Sequence, residues 1–142
     1  MQQIIEFIQL HLMLCLLWVV LLGAVIYTFL MPILSGVRSI TYQQVTQFIN
    51  KRDAVIFDIR SGEQYRKGHI AGAVNIPESQ LKADKLTNYE KYRSKPVVVA
   101  CDLGNKASGA ARLFKKAGFQ EVYYMQGGIG AWTGANLPLV RK

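Results

Sequence analysis

A chain of 142 residues has room for one ordinary domain, and its 51% hydrophobic content is concentrated near the N-terminus rather than spread as in a soluble core. The formal charge of +8 comes from 17 basic and 9 acidic residues, scattered singly or in short pairs such as Lys115-Lys116 with no interleaved aromatic platform, so nucleic acid is not an expected partner. Two histidines and two cysteines, Cys15 in the apolar stretch and Cys101 far beyond it, offer neither a disulfide framework nor metal-ligand spacing, and no cofactor is implied.

No Asp, Glu, Lys or Arg occurs between Phe7 and Val37. After a short N-terminal tail, residues 1–9, the run LHLMLCLLWVVLLGAVIYTFL predicts a membrane-spanning helix over 10–31, because ~21 residues at 1.5 Å rise match the roughly 30 Å hydrocarbon core. A cleaved signal peptide would want a basic start, a shorter apolar stretch and a small-residue cleavage pattern, and none of these is present. All basic residues lie at or after Arg38, so the positive-inside rule puts the tail outside and the C-terminal domain in the cytoplasm. Membrane lipid is thus one expected partner, through this helix. The excess basic charge suits either an anionic leaflet beside the domain or an anionic small substrate.

Pro32 and Ser35-Gly36 interrupt the pattern, so 32–39 read as a linker and 40–142 as the domain. Thr41 is a candidate N-cap for a short helix whose Val45, Phe48 and Ile49 share a face. Ala54–Asp58 is a buried strand, Ser61–Lys67 a short helix, and Ala73–Ile76 a short strand stopped by Pro77. Lys85–Arg93 reads as helical, and Pro96–Ala100 (PVVVA) is an unbroken apolar strand. An amphipathic helix follows over Ala107–Ala117, ended by Gly118, then strand Glu121–Tyr124 and a last short helix from Gly128 that carries Trp132. Apolar strands alternating with helices predict an α/β domain with a parallel sheet covered on both faces. Ligands in such sheets bind beyond the carboxyl ends of the strands, which directs attention to Asp58-Ile59-Arg60 and Cys101-Asp102.

Strand Pro96–Ala100 runs into the loop Cys101-Asp102-Leu103-Gly104-Asn105-Lys106, and a helix begins directly after it. A tight loop of main-chain N–H groups backed by a helix N-terminus favours an anion, whether a thiolate, a persulfide or an oxyanionic donor. Gly104 permits a positive φ in the loop, and Lys106 adds a cation at its rim. The competing reading is a buried cysteine that merely closes a core strand.

The segments VIFDIR (55–60) with Glu63, GHIAGAVNIP (68–77), the cysteine loop, Ala117-Gly118-Phe119 and GGIGAW (127–132) occur in an order that resembles the rhodanese family over about Ile40–Leu139. With its N-terminal span the chain is similar to bacterial membrane-bound members of that family. The resemblance implies a rhodanese-like parallel five-stranded sheet flanked by helices, preceded by one transmembrane helix. It also implies a single-pass protein of the bacterial inner membrane and sulfane sulfur transfer through Cys101 as the catalytic residue. Related phosphatases and arsenate reductases use a longer Cys-x5-Arg loop, so the shorter loop here points to sulfur rather than phosphoryl chemistry.

Under this reading Asp102, Leu103, Gly104, Asn105, Lys106 and Arg60 bind the substrate, with Asp58 and Glu63 as structural support. The expected partners are a small sulfur donor such as thiosulfate and a thiol acceptor. Two residues depart from the family pattern. Lys106 stands where many relatives have arginine and makes no bidentate clamp. Asp102 places a carboxylate where a neutral or basic residue is common, opposing an anionic donor. An internal Asp58–Arg60 ion pair and an architectural His69 are the bland readings of those side chains. A rival function is a catalytically weak rhodanese-like module that binds a membrane-associated protein.

Overall fold

The structure, a computed structural model, describes every residue except Ser35, Ala83 and Lys142, and the chain divides into two units, Met1–Ser35 and Gly36–Lys142. In the first unit, helix α1 (Gln2–Leu10) ends at His11 and helix α2 spans Leu12–Leu34. Within α2, Leu12–Met31 is long and apolar enough to cross a membrane, with none of that stretch buried. Two boundaries differ from expectation. The tail read as residues 1–9 is itself helical, having no Gly or Pro to stop it, and α2 continues past Pro32 because proline removes an N–H bond while keeping a helical φ.

The first strand of the second unit is β1 (Arg38–Ile40), whose Arg38 and Ser39 fall in the stretch read as linker from sequence. Three residues with one inward apolar side chain carry almost no strand signal; the pairing with a distant strand, Arg38 opposite Tyr123, creates it. Helix α3 (Tyr42–Arg52) follows, with Thr41 Oγ1 accepting from Gln44 N at 3.4 Å and Gln44 Oε1 accepting from Thr41 N at 2.9 Å, a reciprocal capping box. Then come β2 (Val55–Asp58), α4 (Gly62–Lys67, capped by Ser61), β3 (Val74–Asn75), β4 (Pro96–Ala100), α5 (Ala107–Lys116), β5 (Glu121–Met125) and α6 (Gly128–Gly134). All strand pairs are parallel, and the order across the sheet is β1-β5-β4-β2-β3.

Burial explains the unbroken apolar strands. In β4, Val97 and Val99 enter one core cluster with Phe57, Phe114 and Phe119, while Val98 and Ala100 enter the opposite one with Ile56, Val45 and Trp132. Alternate side chains thus face different cores, so no position of β4 tolerates a polar residue. The stretch read as helical over Lys85–Arg93 is helical over Lys85–Tyr92, in the form of 3-10 turns kinked at Tyr89. Leu86, Tyr89 and Tyr92 recur every third residue, and three residues per turn aligns them; Leu86 is buried and both tyrosines meet Phe57 edge-on.

Candidate active site

The carboxyl ends of β2, β3 and β4 converge. Ile59 N donates to Ala100 O at 2.9 Å, Ile76 N to Asp58 O at 2.9 Å and Glu78 N to Ile59 O at 3.0 Å, so the three segments leave the sheet side by side. Beyond them lies a cavity of about 490 Å³ lined by Arg60, Ser61 and Gln64 after β2, Pro77, Glu78 and Ser79 after β3, and Cys101, Asp102, Leu103, Asn105 and Lys106 after β4.

Cys101 is 4% exposed and belongs to the core cluster that contains Phe57 and Val99, yet it also lines this cavity. It closes the core and floors the cavity at once, because β4 ends at the core boundary. The loop curls over the sulfur: Gly104 N donates to Cys101 Sγ at 3.0 Å, and Asn105 Oδ1 stands 3.9 Å from Sγ and accepts from Lys106 N at 2.9 Å. Gly104 has φ +87°, which turns its N–H inward, and a Cβ there would lie 2.9 Å from Gly127 N. Helix α5 starts at Ala107 with no side-chain cap, so the partial positive charge of its first turn stays uncancelled.

The loop is held from outside by α6. Ile129 N donates to Cys101 O at 2.9 Å and Gly130 N to Asp102 O at 3.0 Å. This approach requires Gly128, with φ +58°, because a Cβ would fall 2.3 Å from Cys101 O and 2.6 Å from Asp102 O. Two of the loop's carbonyls, those of Cys101 and Asp102, are thus taken up by the start of α6, while the Gly104 N–H faces the sulfur.

Arg60 donates from Nε and Nη2 to both Asp58 carboxylate oxygens at 2.7 to 3.1 Å, and from Nη2 to Gly68 O at 2.7 Å. The two side chains are 8% and 1% exposed, so this is an internal ion pair that also borders the cavity. Asn75 Nδ2, donating to Asp58 O and Arg60 O at 2.9 Å each, pins the same turn. The Lys106 ammonium is turned to Glu78 Oε2 at 2.7 Å. The hydrogen bond that Lys106 donates to Glu78, and the Glu78 charge, hold Lys106 above its ordinary lysine value, with Cys101 adding a smaller push. Asp102 and Leu103 are exposed, Leu103 at 69%, and Asp102 makes no salt bridge among the described residues.

Two residues singled out from sequence stand elsewhere. Glu63 pairs with Lys67 at 2.7 Å on the exposed face of α4 and does not line the cavity. His69 bridges to Val140, stacks on Tyr65 and has Nδ1 2.8 Å from Tyr65 O, an architectural role. Sequence reasoning did not single out Glu78, Asn75 or Gly128 as site residues. For Gly128 a signal existed, the Gly127-Gly128 pair at a helix start, whereas Glu78 is separated from Lys106 by 28 positions and nothing local links them.

A rhodanese-like domain model matches residues 41–135. The chain is 41% identical to the uncharacterized protein YibN of Escherichia coli (strain K12) over 99% of both chains. It is 33% identical to the thiosulfate sulfurtransferase GlpE of Shewanella oneidensis, over 72% of this chain and 99% of that one. Among solved structures, a rhodanese-related protein from Thermoplasma volcanium superposes with a TM-score of 0.60 at 26% identity, covering 74% of this chain and 99% of that chain. A five-stranded parallel sheet whose central strand delivers a cysteine into a wrapped loop, matched over two-thirds of its length by one family model, makes this chain a member of the rhodanese-like domain family.

Proposed function

We propose that the domain is a sulfurtransferase that carries sulfane sulfur as a persulfide on Cys101. The observation that carries this reading is the cysteine sulfur on the floor of a cavity, hydrogen-bonded at 3.0 Å by an inward-facing main-chain N–H. In the first step the Cys101 thiolate attacks the outer sulfur of a donor. With thiosulfate, the S–S bond breaks, sulfite leaves with the electron pair, and Cys101 holds the transferred sulfur as a persulfide anion. In the second step a thiol acceptor, as its thiolate, attacks that outer sulfur and regenerates the Cys101 thiolate. The Gly104 N–H and the first turn of α5 favour the anion in each state. Apolar helix α2 anchors the domain to the bacterial inner membrane in a single pass, and the basic residues from Arg38 onward keep the domain in the cytoplasm.

The test is intact mass measurement of the full chain in detergent after incubation with thiosulfate or small persulfides. A gain of one sulfur atom that dithiothreitol reverses and Cys101→Ser abolishes is expected. A folded protein that gains no sulfur from any donor rejects the reading. Orientation is checked with a C-terminal epitope, which resists protease in intact spheroplasts if the domain is cytoplasmic.

A second reading, a catalytically weak module that docks a membrane-associated protein, draws on the exposed Leu103 beside Asp102, which has no salt bridge among the described residues. Crosslinking in membranes separates the two. If Cys101→Ser leaves both partner capture and the cellular phenotype intact, docking is the function.

A further inference from the structure

Both cations that line the cavity are already paired with carboxylates, so neither is free for an anionic donor. Four acidic or basic side chains line it: Arg60, Lys106, Glu78 and Asp102. Arg60 is already neutralised by buried Asp58, which takes its Nε and Nη2 donors at 2.7 to 3.1 Å. Lys106, the rim cation that would greet an oxyanion, gives its ammonium to Glu78 at 2.7 Å. Asp102 is exposed at the mouth and has no salt-bridge partner among the described residues. Its main chain is tied to α6, since Asp102 O accepts from Gly130 N at 3.0 Å. The formal charge of +8 is spread over the whole chain, and screening within roughly 8 to 10 Å leaves these local groups to decide what enters.

We infer that the cavity selects a persulfide donor bearing positive rather than negative charge beside its reacting sulfur, and that Asp102 and Glu78 set that preference. The inference rests on the sulfur-carrier reading of Cys101. The chemical step is attack of the Cys101 thiolate on the outer sulfur of R–S–SH. The S–S bond of the donor breaks, R–S⁻ departs with its electron pair, and the outer sulfur arrives with its proton as Cys101–S–SH. An ammonium on R lies favourably against Asp102, whereas the dianion of thiosulfate meets an unpaired carboxylate and a cation already engaged. Exposed Leu103, next to Asp102, supplies apolar contact for the body of the donor.

The experiment measures the rate of Cys101 sulfur loading in the full chain in a neutral detergent, by intact mass, with cysteamine persulfide, glutathione persulfide and thiosulfate at equal concentration. The unsubstituted protein is expected to load fastest from the ammonium-bearing cysteamine persulfide. Asp102→Asn and Glu78→Gln, both at exposed side chains, are expected to raise thiosulfate loading relative to cysteamine persulfide by on the order of tenfold, the effect of one unit charge on a dianion at a partly solvated separation. Raising ionic strength is expected to speed thiosulfate loading in the unsubstituted protein and to lose that effect in Asp102→Asn, a signature that a merely structural role does not produce. Donor ratios unchanged in both variants, or thiosulfate loading that slows with salt, overturn the inference while leaving the sulfur-carrier reading intact. Failure of every donor to load Cys101 in folded protein overturns both.

Discussion

Replacing Gly128 with alanine is the sharpest probe of how the site is held. The new Cβ would stand 2.3 Å from Cys101 O and 2.6 Å from Asp102 O, both main-chain atoms with no flexible end to yield. At φ +58° the alanine also sits in the left-handed region, at a cost of roughly 1–2 kcal/mol. To relieve the overlap the loop must move away from α6, which breaks the 2.9 Å bond from Ile129 N to Cys101 O and the 3.0 Å bond from Gly130 N to Asp102 O, at roughly 1 kcal/mol each. The combined loss is about 3–4 kcal/mol, a large share of the 5–15 kcal/mol typical of a domain. Thermal unfolding followed by circular dichroism should therefore fall by more than about 10 °C. Sulfur loading at Cys101, measured below the melt, should also drop, because Gly104 N would no longer be held at the sulfur. Gly130→Ala is the control: its Cβ meets Asp102 O at 3.5 Å and a Leu103 methyl at 3.6 Å, ordinary contacts, so it should be neutral or slightly stabilising. Gly128→Ala protein that melts within about 2 °C of the parent and loads sulfur normally would refute the account of the loop–helix clamp.

Asp58→Asn should destabilise the domain by about 3–5 kcal/mol in the same melt, because it leaves a guanidinium that is 8% exposed without its counter-ion; a change below about 1 kcal/mol would contradict the internal-pair reading. Cys101→Ser should abolish the sulfur adduct while shifting stability by less than about 2 kcal/mol, since a hydroxyl can still accept from Gly104 N at the same place. Burial, followed by the nearby Asp58 charge, raises the Tyr65 phenol above its ordinary 10.0. The folded state therefore holds that proton more tightly than the unfolded chain, so the contribution is full below about pH 10 and is lost as pH rises through the folded value. Lys106, raised by Glu78, acts in the same direction. Tyr65→Phe should flatten the alkaline loss of stability, and an unchanged slope would exclude Tyr65 as its source. Removing residues 1–35 should release the remaining chain from the membrane fraction into the soluble fraction; retention in the membrane would mean that the domain binds the membrane by another surface.

The long apolar helix, the parallel sheet and the cysteine loop were legible in the sequence because each rests on a local pattern. A long uncharged apolar run, unbroken apolar strands such as Pro96–Ala100, and a strand running straight into a cysteine and a helix need no knowledge of distant neighbours. Thr41 likewise marks a helix start as an N-cap candidate. Tertiary structure alone decided the rest. Strand Arg38–Ile40 exists because β5 lies beside it, and Lys85–Tyr92 tightens to three residues per turn because Phe57 is there to be covered. The same holds for the electrostatics of the cavity. Residue types marked Lys106 as a rim cation, but whether it remained free depended on Glu78, brought across 28 positions by the parallel pairing of β2 with β3 and β4. Charge and hydrogen-bond capacity belong to the residue, whereas their cancellation depends on distance, and distance between remote segments is set only when the chain folds.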